Sequence, residues 1–199
     1  CGRALAATLL LRRGKWEAAA GALLPPGPWQ SDPAARNLLA FALWKSGDPR
    51  RASALARENL RVDPLDAFAR AMVVSTGFAP AREALDLGEL VRGKEQAVLD
   101  LAAQFLELGD EEAALEIIER FYIPAEPAGG VRPIPRYWAA YLSGKLGRKD
   151  AAERYLREAR ALSSDAVFPH RIESGPILRW ALEVEPKDGK AALYLGHLL

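Results

Sequence analysis

One spacing recurs four times in this chain: a glycine, four residues, then an alanine. It occurs as Gly14–Ala19, Gly47–Ala52, Gly109–Ala114 and Gly147–Ala152, with successive glycines 33, 62 and 38 residues apart. A period of about 34 residues with a small residue at the turn marks an array of helical hairpins. Each unit of such an array packs on its neighbours, so the array displays a surface and does not by itself name a reaction.

The rest of the chain reads in the same terms. Half of its 199 residues are hydrophobic, and Ala, Leu, Arg and Glu dominate, which favours helices through propensity alone. Helices are expected over 3–13 and 15–24, with Gly14 at their turn and Pro25-Pro26-Gly27-Pro28 as the stop. Asp32-Pro33 and Asp48-Pro49 each pair a cap with a first-turn proline and start the next two helices. Further helices are expected at 66–76, 94–108, 110–121, 135–146, 148–162 and 174–185, while 80–92, with Gly88 inside it, reads as less regular. Residues 123–135 form a Pro/Gly-rich insert that no continuous helix can cross, expected as a surface loop. The helices at 148–162 and 174–185 both look like second helices of a hairpin, so 163–173 is expected to run extended across the array. Eleven extended residues reach ~35 Å, against ~16 Å for a helix of that length.

Residues Leu39-Ala40, Leu43, Gly47, Ala52 and Pro64, and again Leu101-Ala102, Phe105, Gly109 and Ala114, resemble the tetratricopeptide repeat (TPR). Ala192, Leu195-Gly196 and Leu199 are similar to the start of one more unit. The resemblance implies an all-α, right-handed α-solenoid of antiparallel helical hairpins, about five of them plus the first helix of another. On this reading residues 1–199 are a single TPR-like solenoid fragment cut at both ends. Residues 148–199, with Phe168-Pro169-His170-Arg171, Leu178-Arg179-Trp180-Ala181, Pro186 and Tyr194-Leu195-Gly196, are similar to the C-terminal repeat region of bacterial proteins of unknown activity that carry a β-rich domain of unknown function, number 5107, and the rest of the chain is so more loosely. That resemblance implies a non-repeat domain upstream and more repeats downstream, and brings no catalytic residues.

Reactive chemistry is sparse. Gly129-Gly130 lies among prolines without the Lys-Ser/Thr of a phosphate loop, and no serine sits in a Gly-x-Ser-x-Gly elbow. Two histidines and one cysteine, Cys1, leave a zinc site almost without ligands and an intrachain disulfide impossible. Asp110, Glu111 and Glu112 read as acids at a helix N-terminus, favourable with its dipole. No catalytic residue, metal or cofactor is therefore expected.

Candidate binding positions come from helical spacing. Asn37, Phe41, Trp44 and Lys45 follow an i, i+4, i+7, i+8 stripe. They would form a concave peptide-binding wall in which Asn37 holds a backbone amide, Trp44 supplies apolar area and Lys45 draws an acid. The competing reading is ordinary packing between helices. Tyr137 and Tyr141 occupy comparable positions later, and Trp180 reads as core. His170 and Arg171 are a possible anion contact. Alternatively, Phe168 plugs the core and Arg171 pairs with Glu173 or caps a helix.

The net charge is +1, so no global field points to nucleic acid or membrane. Residues 79–120 carry eleven acids and four bases, and 132–160 carry eight bases and three acids, either as solvated helix faces or as a contact for another domain. The longest apolar run, Leu5 to Leu11, is too short to span a bilayer. The expected role is non-catalytic: protein–protein interaction or scaffolding, with a protein or peptide segment, or an upstream domain of the same protein, as partner, in the cytoplasm. The rivals are an accessory region of a carbohydrate-active enzyme whose catalytic domain lies elsewhere, and a regulatory module binding peptide or nucleotide.

Overall fold

A computed structural model describes residues 2–25, 27, 31–78, 81–124, 132–165 and 167–199, with the backbone alone at 81–84. The described residues form twelve α-helices and no strand: α1 (Gly2–Leu11), α2 (Trp16–Leu23), α3 (Pro33–Lys45), α4 (Pro49–Val62), α5 (Ala67–Ser75), α6 (Ala81–Val91), α7 (Glu95–Glu107), α8 (Glu111–Phe121), α9 (Ile134–Lys145), α10 (Lys149–Ala161), α11 (Ser174–Val184) and α12 (Gly189–Leu198).

Local chemistry sets the boundaries. Asp32 starts α3 by accepting the Ala34 N–H at 3.0 Å, and Asp48 starts α4 by accepting the Arg51 N–H at 3.2 Å, each followed by a proline whose missing N–H costs nothing there. Asp66 caps α5 through Ala69 N–H at 2.8 Å, and Asp188 caps α12 through Lys190 and Ala191 N–H at 3.1 and 3.0 Å. The turns fall on glycines with positive φ: Gly14, Gly47, Gly77, Gly93, Gly109 and Gly147. Gly109 shows why. Its φ is +79°, and a Cβ there would lie 3.2 Å from Arg12 Cα and 3.3 Å from the Arg12 carbonyl oxygen, both backbone atoms.

Two sequence expectations change here. Residues 81–91 form a regular helix, α6, although Gly88 sits inside it. Gly88 is buried next to buried Leu87, and Val91 is buried too, so packing outweighs the ~1 kcal/mol propensity cost of the glycine. Gly77 also divides the 62-residue gap between Gly47 and Gly109 into steps of 30 and 32, which restores the period. The Gly-x4-Ala pattern misses this turn because position 82 is an arginine.

The chain divides into two compact units, residues 1–91 with 107–110 and residues 92–106 with 111–199. In the first unit α1 packs on α2, α3 on α4 and α5 on α6, and α2–α3 and α4–α5 pack across the links. In the second, α9 packs on α8, α10 and α11, and α11 packs on α12. The Gly93 N–H donates to the Phe121 carbonyl at 2.9 Å and joins the start of α7 to the end of α8. The small residues lie where helices meet. Ala7, Ala40, Ala102 and Ala140, seven residues before a turn glycine, are fully buried, and so are Ala19, Ala52 and Ala114 five residues after one, with Ala152 nearly so. Residues 163–165 and 167–173 carry no helix. Residues 125–131 of the Pro/Gly-rich insert lie outside the described residues, and its last residues, Ile134 and Pro135, open α9 and are buried.

Candidate functional site

The stripes on α3 and α9 are in register. Counted back from Gly47 and Gly147, Asn37 and Tyr137 stand at minus ten, Phe41 and Tyr141 at minus six, Trp44 and Gly144 at minus three, and Lys45 and Lys145 at minus two.

At minus ten both side chains hold the cap of a later helix. Asn37 Nδ2 donates to Asp66 Oδ2 at 2.9 Å, while its Oδ1 accepts from Asn59 Nδ2 at 2.6 Å. Buried Asn59 in turn accepts from Arg36 Nε at 2.6 Å and donates to the Pro33 carbonyl at 2.8 Å. Tyr137 Oη donates to the Asp188 carboxylate, 3.0 and 2.9 Å from its two oxygens. Burial first, and then the hydrogen bond to Asp188, pushes the Tyr137 phenol far above the ordinary tyrosine range, so it stays protonated. Tyr137 is fully buried, while half-buried Asn37 spends one Nδ2 hydrogen and one Oδ1 lone pair on these neighbours. This corrects the groove reading of Tyr137, which instead satisfies the buried Asp188 carboxylate, and gives Asn37 a second task beside that reading, the support of the Asp66 cap.

At minus six, Phe41 is fully buried and belongs to the core, not to an open wall. Its ring lies 6.0 Å from Trp16, 6.0 Å from Trp44 and 6.3 Å from Phe68. Trp44 is half-buried. Lys45 Nζ sits 4.5 Å from the Trp44 ring and 2.6 Å from Asp110 Oδ2, whose side chain is 5% exposed. The acid that Lys45 draws is therefore Asp110, within the same unit.

In the second unit the same positions are more open. Tyr141 is half-buried, and Lys145 is exposed, with Nζ 5.9 Å from the Tyr141 ring centroid. The indole comes from α11: Trp180 meets Tyr141 edge-on at 5.6 Å and fills the space beside Gly144. Trp180 is thus half-buried on this surface and not a core residue.

The His170–Arg171 pair falls on the non-helical segment. His170 is exposed, and Arg171 is held by carboxylates of its own chain: Nη1 contacts Asp100 of α7, and Nη2 lies 3.6 Å from Glu173. The expected anion contact is thus supplied internally. Val167 and Pro169 are buried, whereas Phe168 is 70% exposed against the His197 ring and plugs no core.

Among the described residues no group of three or more His, Cys, Asp or Glu could hold a metal ion, and no helix is long and apolar enough to cross a membrane. The first unit carries an open cleft of about 400 Å³, lined by Leu24, Leu39 and Leu55 with Arg36, Arg51 and Glu58 at its polar edge. Searches against protein families and curated proteins find nothing that matches this chain.

Proposed function

We propose that this chain is a non-catalytic interaction module, a right-handed solenoid of TPR-like hairpins that holds a protein segment against the first helices of its units. The observation that carries the reading is the phase shared by α3 and α9. Equivalent positions repeat the same cap bond and the same lysine beside an aromatic ring, as expected when one unit is reiterated to display a face. The members of these stripes that reach the surface, half-buried Trp44 and Tyr141 and exposed Lys145, are aromatic rings and a cation, which suit polypeptide recognition.

Affinity capture from native cells, followed by calorimetry with the purified partner, tests the reading. The expected result is saturable binding to a protein that persists with the isolated 1–199 chain. Failure of every captured protein to bind the purified chain would overturn it.

A further inference from the structure

The two stripes differ in what their lysines meet. In the first unit the ammonium of Lys45 has a carboxylate, Asp110, while in the second unit Lys145 has none among the described residues. Tyr141 Oη and Trp180 Nε1 likewise have no hydrogen-bond partner among the described residues. An ammonium, a phenol and an indole N–H are three donor groups, and the ammonium and the indole have no acceptor capacity at all. The position of Lys145 in the last turn of α9 suits the helix dipole, but the dipole does not account for the two aromatic donors beside it.

The geometry points to Lys145, Tyr141 and Trp180 as a docking site for an aspartate or glutamate side chain of a partner polypeptide. The proposal rests on reading the chain as a protein-binding module and names the chemistry of its partner. The internal precedent is Asp110 against Lys45, whose ammonium also lies by the Trp44 and Phe41 rings, which shows what the register accepts when it is filled. Tyr141 does at this site what Trp44 does in the first unit: it lays a ring beside the cation, which lowers local hydration and strengthens a charged contact, and Trp180 packs edge-on against that ring. A carboxylate bound there forms a charge-assisted hydrogen bond with Lys145 and is weakened by salt.

The test uses a capped peptide reproducing Leu106–Glu112, which carries Asp110 in its own context, and a control peptide with every acid replaced by its amide. Each is titrated into the isotopically labelled chain while the indole N–H signal of Trp180, assigned through Trp180→Phe, is followed. The acidic peptide is expected to shift that signal saturably and the amide peptide to leave it in place. Lys145→Ala, at an exposed position where folding is not at risk, should weaken the response roughly five- to tenfold, the scale of one charge-assisted hydrogen bond lost from a half-open site. An unmoved Trp180 signal, an equal response to the amide peptide, or full binding by Lys145→Ala overturns the site. A Lys145→Ala chain that still binds its native partner at full strength also overturns the site but spares the wider reading. Peptide binding with no native partner at all does the reverse.

Discussion

A Cβ built at Gly144 would lie 2.7 Å from Cζ2 of Trp180, so the indole occupies space that any other residue at 144 would need. Gly144 is within α9, where alanine ordinarily gains about 0.5–1 kcal/mol over glycine. Here the gain requires the ring to swing away from Tyr141, and an edge-to-face pair alone contributes about 0.5–1.5 kcal/mol beyond its buried area. Gly144→Ala is therefore expected to destabilise the chain by about 1 kcal/mol. In a Trp180→Ala background the same change should stabilise it by about 0.5–1 kcal/mol. Chemical denaturation of the four proteins checks the reversal of sign, and the same sign in both backgrounds would count against it.

That pair also marks the limit of what the sequence shows. Caps and turns are local chemistry, so Asp32-Pro33, Asp48-Pro49, Gly14 and Gly147 announce the helix ends unaided. Periodicity likewise puts Asn37, Phe41, Trp44 and Lys45 on one stripe. What covers the stripe is decided by distant residues: Asp66 takes Asn37, Phe68 covers Phe41, and Asp110 takes Lys45. No spacing within α3 encodes those partners. The site on α9 carries one signal in the sequence, a glycine in the phase where α3 has Trp44, which leaves room for an aromatic from elsewhere.

The turn that the alanine pattern overlooks gives a second test. Gly77 has φ +75° and open space around its Cβ direction, so Gly77→Ala meets only backbone strain and should cost about 1–2 kcal/mol. Gly21, in mid-α2 with equally open space, should gain about 0.5–1 kcal/mol on the same change. Thermal melts of the two variants should move in opposite directions.

Arg171 gives a protease test. Its guanidinium is clamped by Asp100 and Glu173 and is 18% exposed, while the following Ile172 is 83% exposed. Trypsin should therefore cut after Arg171 slowly in the native chain. Asp100→Asn, which removes one charged partner, should speed that cut roughly fivefold without lowering the melting temperature of the helices. An unchanged rate would mean that the Asp100 contact does not hold the segment.

Glu95 sets a pH dependence. Burial raises its carboxyl above the usual range, against the lowering influence of Arg132 at 3.6 Å and of His170. The folded chain therefore binds this proton more tightly than the unfolded one, and the contribution favours folding at acid pH. It is lost as pH rises from the unfolded carboxylate range, about 4.3, through the raised folded value. Melting of the wild type relative to Glu95→Gln should fall over that interval and level off above it. A difference that grows with pH would contradict the assignment.

The central claim is that one register position is closed in the first unit and open in the second. Amine reactivity reads this directly: the native chain is treated briefly with an acylating reagent and each lysine is quantified by mass spectrometry. Lys145, exposed and without an acidic partner among the described residues, should react fast. Lys45, whose side chain is 26% exposed and paired with Asp110 at 2.6 Å, should react slowly and approach Lys145 in the Asp110→Asn chain. Lys45 reacting as fast as Lys145 in the unaltered protein would contradict the account.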